Sequence, residues 1–157
     1  MNHLPCTRLE LSRPIEEVFA FFGDAANLER ITPPELRFEI VTPLPTEMAR
    51  GTLIEYRLGL LGMRFGWLTR IAEWDPPRRF VDEQWRGPYA RWVHMHRFWP
   101  TATGTAIEDE VCYRLPLTPV GDIAHALVRR QLDHIFDFRA AAVRSAFSAS
   151  SEGSVRS

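Results

Sequence analysis

The side chains with chemistry to offer fall in three short runs: Asp82 in FVDEQW, His94 and His96 in RWVHMHRF, and Asp109 in IEDEVCY. Each run alternates with a period of two, the pattern of an extended strand. Alternate side chains of a strand share a face. Phe80, Asp82 and Gln84 therefore go together, as do Trp92, His94, His96 and Phe98, and Ile107, Asp109, Val111, Tyr113 and Leu115. That inward face is aromatic and aliphatic, interrupted by two His and two Asp.

Register decides whether these four meet. A three-residue connection over 87–89 sets Asp82 opposite His94 and Phe80 opposite His96. A two-residue turn at Gly87-Pro88 flips the parity and sets Asp82 against Val93. The longer connection is preferred because it alone joins Asp to His. A four-residue turn over 101–104 then sets His96 opposite Asp109, Trp92 opposite Tyr113 and Phe98 opposite Ile107. Opposed Cβ atoms lie about 4.5–5.5 Å apart, within reach of a hydrogen bond.

Two carboxylate–imidazole pairs admit three chemistries. Buried polar groups can simply satisfy one another, since an unpaired one costs about 1–3 kcal/mol. An Asp-oriented imidazole can anchor a ligand's polar group or act as general acid or base. His94-x-His96 flanked by Asp82 and Asp109 also has the ligand types for zinc or ferrous iron. Against a metal, side chains two apart on a strand diverge, and the carboxylates serve equally well as outer partners. No metal and no cofactor are assigned.

The surrounding elements follow from pattern. A first strand is expected over 4–11, then a short helix holding Ile15, Val18, Phe19 and Phe22 at helical spacing, with Ser12 as its N-cap and Gly23 as its end. A second short helix over 25–31 stops before Pro33-Pro34. Six strands follow at about 36–43, 51–60, 63–75, 78–86, 89–99 and 104–115, joined by short turns and hence antiparallel. After Pro116 and Pro119 a helix of about 27 residues is expected to end at Phe147, with Val120, Ala124, Leu127, Val128, Ile135, Phe138 and Ala142 as its apolar stripe. A polar tail over 148–157 completes a single domain over 1–147. Tyr56, Trp67, Thr69 and Trp92 are expected to line the space between sheet and helix, with Gln131 and Arg139 hanging in from the helix.

Composition removes other classes. In 157 residues, hydrophobic side chains are 45% and charged ones 25%, which excludes disorder. The net charge of −1 provides no field for a phosphate backbone, so no nucleic-acid role is expected. All 19 basic residues are Arg, which removes Schiff-base lysine chemistry. No secretory signal and no stretch near the ~20 apolar residues of a membrane span is present. Cys6 and Cys112 are read as reduced thiols of a cytoplasmic protein. No serine has a visible base partner, and Cys112 is expected on the outer face, so nucleophilic catalysis is unsupported.

The run PIEEVFAFFGDAANLERITPPEL, followed by GTLIEYRL, FGWLTRIAEWDPPRRFVDEQWRGPYARWVHMHRF and the long C-terminal helix, resembles the START-like (SRPBCC) superfamily. This is the α+β helix-grip fold shared by birch-pollen allergen relatives and polyketide cyclases. The resemblance implies a deep apolar cavity between a curved antiparallel sheet and the C-terminal helix. Together with the inward faces read from alternation and the helix stripe, it leads to the expectation of a hydrophobic, lipid-like or polyketide-like small molecule bound by Tyr56, Trp67, Thr69, Phe80, Asp82, Trp92, His94, His96, Asp109, Tyr113, Gln131, Ile135 and Arg139. The rival it brings is a cyclase-like enzyme using His94 or His96 with Asp82 or Asp109 as acid and base. Neither reading fixes a monomer or a homodimer.

Overall fold

A computed structural model describes residues 2–3, 6–60, 62–116 and 121–152. The strands are β1 (Asn2–His3), β2 (Thr7–Leu11), β3 (Glu39–Ile40), β4 (Leu53–Leu60), β5 (Met63–Asp75), β6 (Arg79–Arg86), β7 (Arg91–Pro100) and β8 (Thr105–Arg114). The helices are α1 (Ile15–Phe22) and α2 (Gly121–Glu152), with single 3-10 turns at Ala25–Asn27 and Pro34–Leu36. The sheet order is β1-β8-β7-β6-β5-β4-β3, with β2 also on β8, and every pairing is antiparallel. β1 and β2 both pair with β8 and share one position in the curved wall, which is seven strands across. Leu4 and Pro5 of the expected first strand lie outside the described residues. The fold is the α+β helix-grip expected from the element order.

Both decisive registers are the expected ones. Asp82 stands opposite His94 and Phe80 opposite His96, while His96 faces Asp109, Trp92 faces Tyr113 and Phe98 faces Ile107. Curvature comes from irregularities in the β5–β6 ladder, between Leu68 and Thr69 and between Ile71 and Glu73. An extra residue bends its strand and increases local twist, which alternation alone does not forecast.

Several local expectations change. The segment expected as a strand over 36–43 begins inside a 3-10 turn, and Arg37 takes a left-handed φ of 48°, leaving only Glu39–Ile40 paired. The residues expected as a second helix form the 3-10 turn Ala25–Asn27, capped by the Asp24 carboxylate accepting from Ala26 N. Pro14, not Ser12, caps α1, without a side-chain hydrogen bond. Gly23 does end α1, and a Cβ there would lie 2.7 Å from Trp74.

α2 runs to Glu152, beyond the expected end at Phe147. Its buried face is Val128, Leu132, Val143 and Phe147, while Leu127 is 50% exposed. Val128 of the expected stripe is buried, and Ile135 and Ala142 pack against the core as expected, whereas Leu127 falls outside the buried face and Leu132, Val143 and Phe147 belong to it. Apolar residues occur on several sides of α2, and the buried face carries Arg139, so periodicity alone could not place it. Val120 lies outside the described residues.

Two hydrophobic clusters fill the grip. One gathers Trp67, Tyr89, Trp92, Val111 and Tyr113 with Val128 and Leu132. The other gathers Val18, Phe19, Phe22, Phe80, Phe98 and Ile107 with Val143 and Phe147. Along β7, Trp92 belongs to the first and Phe98 to the second, so His94 and His96 sit at the boundary. Asp109 holds the same place on β8, between Ile107 and Val111.

Candidate functional site

The two imidazoles are buried, each 4% exposed, and their ring centroids stand 3.8 Å apart. The expected divergence of side chains two apart on a strand does not occur here. Phe80 stacks on His96 at 4.1 Å, Trp92 packs edge-on to His94 at 6.4 Å, and Phe136 of α2 approaches His94 at 5.5 Å. These rings leave each imidazole little room to rotate.

Hydrogen bonds cross the backbone register diagonally. His94, opposite Asp82 in the ladder, donates from Nε2 to Asp109 Oδ1 at 3.2 Å. His96, opposite Asp109, donates from Nε2 to Asp82 Oδ2 at 2.9 Å. The ring nitrogen is the donor in each because an ionised carboxylate only accepts. Asp109 Oδ1 also lies 2.7 Å from His96 Nδ1, off the N–H axis, so that nitrogen makes no well-aligned bond. Asp82 Oδ2 is 3.9 Å from His94 Nδ1. The four side chains form one closed quartet rather than two separate pairs.

Burial and charge act against each other in it. Burial, together with the neighbouring His96, pushes the His94 pKa down despite its carboxylate contacts. Burial would lower His96 too, but the charges of Asp109 and Asp82 and the hydrogen bond to Asp82 hold it above the usual imidazole value. Burial alone would raise Asp82, yet the His96 hydrogen bond and the nearby imidazole charges keep it below the usual carboxylate value. Asp109 behaves alike and lies far below that range. Of the two rings, His96 is thus the one whose protonated form the carboxylates favour, and His94 the one that burial drives toward the neutral form.

A cavity of about 140 Å³ opens beside the quartet. Its walls are Ile54, Tyr56, Leu58 and Leu60 of β4, Trp67, Thr69 and Ile71 of β5, Phe80 and Asp82 of β6, and Trp92, His94 and His96 of β7. Leu132, Ile135, Phe136 and Arg139 of α2 face them. The Tyr56 and Thr69 hydroxyls are hydrogen-bonded at 3.0 Å, and burial raises the Tyr56 pKa. Trp67 Nε1 and Arg139 Nε are buried donors without an acceptor among the described residues. Both belong to residues that line the cavity.

Three sequence candidates do not line it. Asp109 stands behind the histidines, because β8 is covered by α2: Val111 and Tyr113 pack with Val128 and Leu132, and Ile107 with Val143 and Phe147. Tyr113 is 1% exposed and its hydroxyl meets His125 Nδ1 at 3.3 Å, which makes it core. Gln131 is half-buried on α2 but outside the cavity wall.

Sequence reasoning missed the opposite wall, made by Phe22, Ala25, Leu28, Ile31, Thr32, Leu36, Phe38 and Met48. Most of these lie in turns and loops, where no periodicity marks an inward side. The apolar content of the run between α1 and β4 was the available signal.

Residues 11–138 match the family described as polyketide cyclase / dehydrase and lipid transport. No curated protein matches the chain. Among solved structures, a protein from Thermus thermophilus superposes with a TM-score of 0.69 at 18% identity, covering 92% of this chain and 99% of that one. A START superfamily protein from Mycobacterium smegmatis gives 0.68 at 13% identity, again over 92% of this chain and 99% of the other. A Rhodobacter sphaeroides protein gives 0.66 at 16% identity, over 92% and 91%. At such identities the likeness is one of fold.

Proposed function

The chain belongs to the polyketide cyclase/dehydrase and lipid transport family, and from that premise we propose that it binds an apolar or aromatic small molecule between the sheet and α2. The observation that carries the reading is a cavity whose wall is aromatic and aliphatic apart from Asp82, His94, His96 and Arg139 and the side chains of Thr32 and Thr69. Ligand sites combine such a wall with a few placed polar groups. The buried donors of Trp67 and Arg139 would meet an acceptor oxygen on the ligand. In size the cavity resembles a void of about 150 Å³ that admits benzene. A body of one or two rings suits it better than a long acyl chain. A cytoplasmic setting belongs to the same reading. Among the described residues no helix is long and apolar enough to cross a membrane.

The test is titration with 2-naphthol, followed by tryptophan fluorescence and native mass spectrometry. One-to-one saturable quenching is expected, removed by Ile135→Trp, which fills the cavity. Binding that survives the filled cavity contradicts the site.

A second reading is catalytic. His96 Nε2 is a hydrogen-bond donor and His94 Nδ1 an acceptor, side by side on the cavity wall, which are the roles of an acid and a base. An enzyme of this kind loses turnover of a poly-β-keto substrate in His96→Asn while keeping its binding. A pure binder shows no turnover in any variant.

A further inference from the structure

Asp82, His94 and His96 each present one ligand atom, all within 4.8 Å of one another. Asp82 Oδ2 is 2.9 Å from His96 Nε2 and 3.9 Å from His94 Nδ1. Ligand atoms held about 2.1 Å from one ion sit roughly 3.0–3.4 Å apart. The observed distances bracket that spacing, so small rotations of the side chains suffice.

What lies in front of and behind the three residues is more telling than their spacing. All three line the cavity, so an ion held there would keep coordination positions facing a ligand. Asp109 does not line it and stands behind both rings. Its Oδ1 is 3.2 Å from His94 Nε2 and 2.7 Å from His96 Nδ1. Each imidazole thus turns one nitrogen to Asp82 and the cavity, and the other to Asp109. Metal-binding histidines are oriented in this way, the second ring nitrogen being held by a carboxylate that fixes tautomer and direction. Charge agrees with geometry. Two buried carboxylates face two imidazoles stacked too closely for both to carry a proton comfortably, and a dication would balance the pair.

We propose that Asp82, His94 and His96 form a binding site for one divalent transition-metal ion, with Asp109 as their shared outer carboxylate. Two nitrogens and one carboxylate oxygen suit zinc or ferrous iron. Asp109→Asn leaves all three ligands in place, but an amide nitrogen turned to the rings no longer accepts their N–H groups.

The experiment uses the full chain stripped with a chelator, then titrated with Zn²⁺ by calorimetry and with Co²⁺ by visible absorption, with no organic ligand present. One equivalent is expected. His94→Ala and His96→Ala abolish it, and Asp109→Asn retains it with affinity about 10–100-fold weaker. Cys6→Ser and His134→Gln, at exposed positions outside the quartet, leave it unchanged. Circular dichroism establishes that each variant is folded, and Asp82→Asn, which preserves volume, replaces an alanine variant that is not. Failure of folded wild-type protein to bind one equivalent overturns the proposal, as does full affinity in either histidine variant or loss with Cys6→Ser. Protein that binds 2-naphthol but no metal overturns this inference alone. Protein that binds metal but no organic molecule overturns only the ligand-binding reading.

Discussion

His94 and His96 share one carboxylate oxygen: Oδ1 of Asp109 lies 3.2 Å from Nε2 of the first ring and 2.7 Å from Nδ1 of the second. Asp109 therefore sets the orientation of both imidazoles from behind, while Asp82 meets them at the cavity edge. In the fold, this quartet interrupts two apolar clusters that β7, β8 and α2 would otherwise join. A buried polar boundary of this kind is costly to leave half-satisfied.

Replacing Asp109 by Asn is expected to cost about 1–3 kcal/mol in urea unfolding, the penalty for stranding buried donors. The variant should still fold, since its volume is nearly unchanged. A loss under about 0.5 kcal/mol, the scale of a surface change, would mean that the quartet is not held by Asp109.

The same deficit should vary with pH in metal-stripped protein. Asp109 titrates far below the usual range when folded and near pH ~3.9 when unfolded. Its contribution is complete above about pH 4 and fades as pH falls further. His96 is raised when folded, so its charge supports the fold below about pH 6.5 and is lost as pH rises through the folded value. His94, lowered by burial, opposes folding as pH falls below about 6.5 in both proteins. The difference between wild type and Asp109→Asn should peak between about pH 4.5 and 6.5 and narrow on both sides. A deficit growing steadily into acid contradicts this assignment.

Backbone approach makes a separate prediction. A Cβ on Gly104 would lie 2.0 Å from Leu11 O and 2.8 Å from Arg13 N, whereas one on Gly66 meets nothing within 4 Å. Gly104→Ala is expected to destabilise by more than about 2 kcal/mol, because the neighbours are backbone and cannot swing away. Gly66→Ala, in the interior of β5, should be neutral or stabilising by up to about 1 kcal/mol. Thermal melts of the two variants give the comparison directly.

Much of the sheet was legible because strand alternation and turn length both leave marks in the sequence. The four-residue 101–104 turn fixes the pairing of His96 with Asp109, whereas the pairing of Asp82 with His94 followed from preferring the connection that joins Asp to His. In the structure β6 ends at Arg86 and β7 begins at Arg91, so that connection spans 87–90. Alternation could not foresee that hydrogen bonds would run diagonally, which depends on rotamers and sheet curvature. Nor could it foresee that α2 covers β8 and thereby hides Asp109 and Tyr113 from the cavity. On α2, Val128, Ile135 and Ala142 were legible as inward-facing, but the sequence does not separate Leu127 from Leu132, because the two are equally apolar. Leu132 is 3% exposed and Leu127 50%. Leu132→Ala should therefore cost about 2–5 kcal/mol, and Leu127→Ala less than about 0.5 kcal/mol.

Arg139 supplies the most direct reading of what the cavity recognises. It lies on the buried side of α2, its guanidinium 5.4 Å from the Phe136 ring centre, and its Nε is buried without an acceptor among the described residues. Its charge also helps hold Asp82 in the ionised form. A ligand oxygen reaching that nitrogen would make a hydrogen bond to a charged group, worth about 1.5–3 kcal/mol, or about 10–100-fold in affinity. Naphthalene and 2-naphthol share a ring system and differ by one oxygen, so they isolate this contact. Wild-type protein should prefer 2-naphthol by that factor. Arg139→Gln should remove the preference while leaving naphthalene binding within about threefold, because the apolar wall is untouched and about 1.4 kcal/mol corresponds to tenfold. Equal weakening for both molecules would show instead that Arg139 shapes the wall through packing on Phe136. No change for either would place the ligand's polar group elsewhere, at the His94–His96 edge.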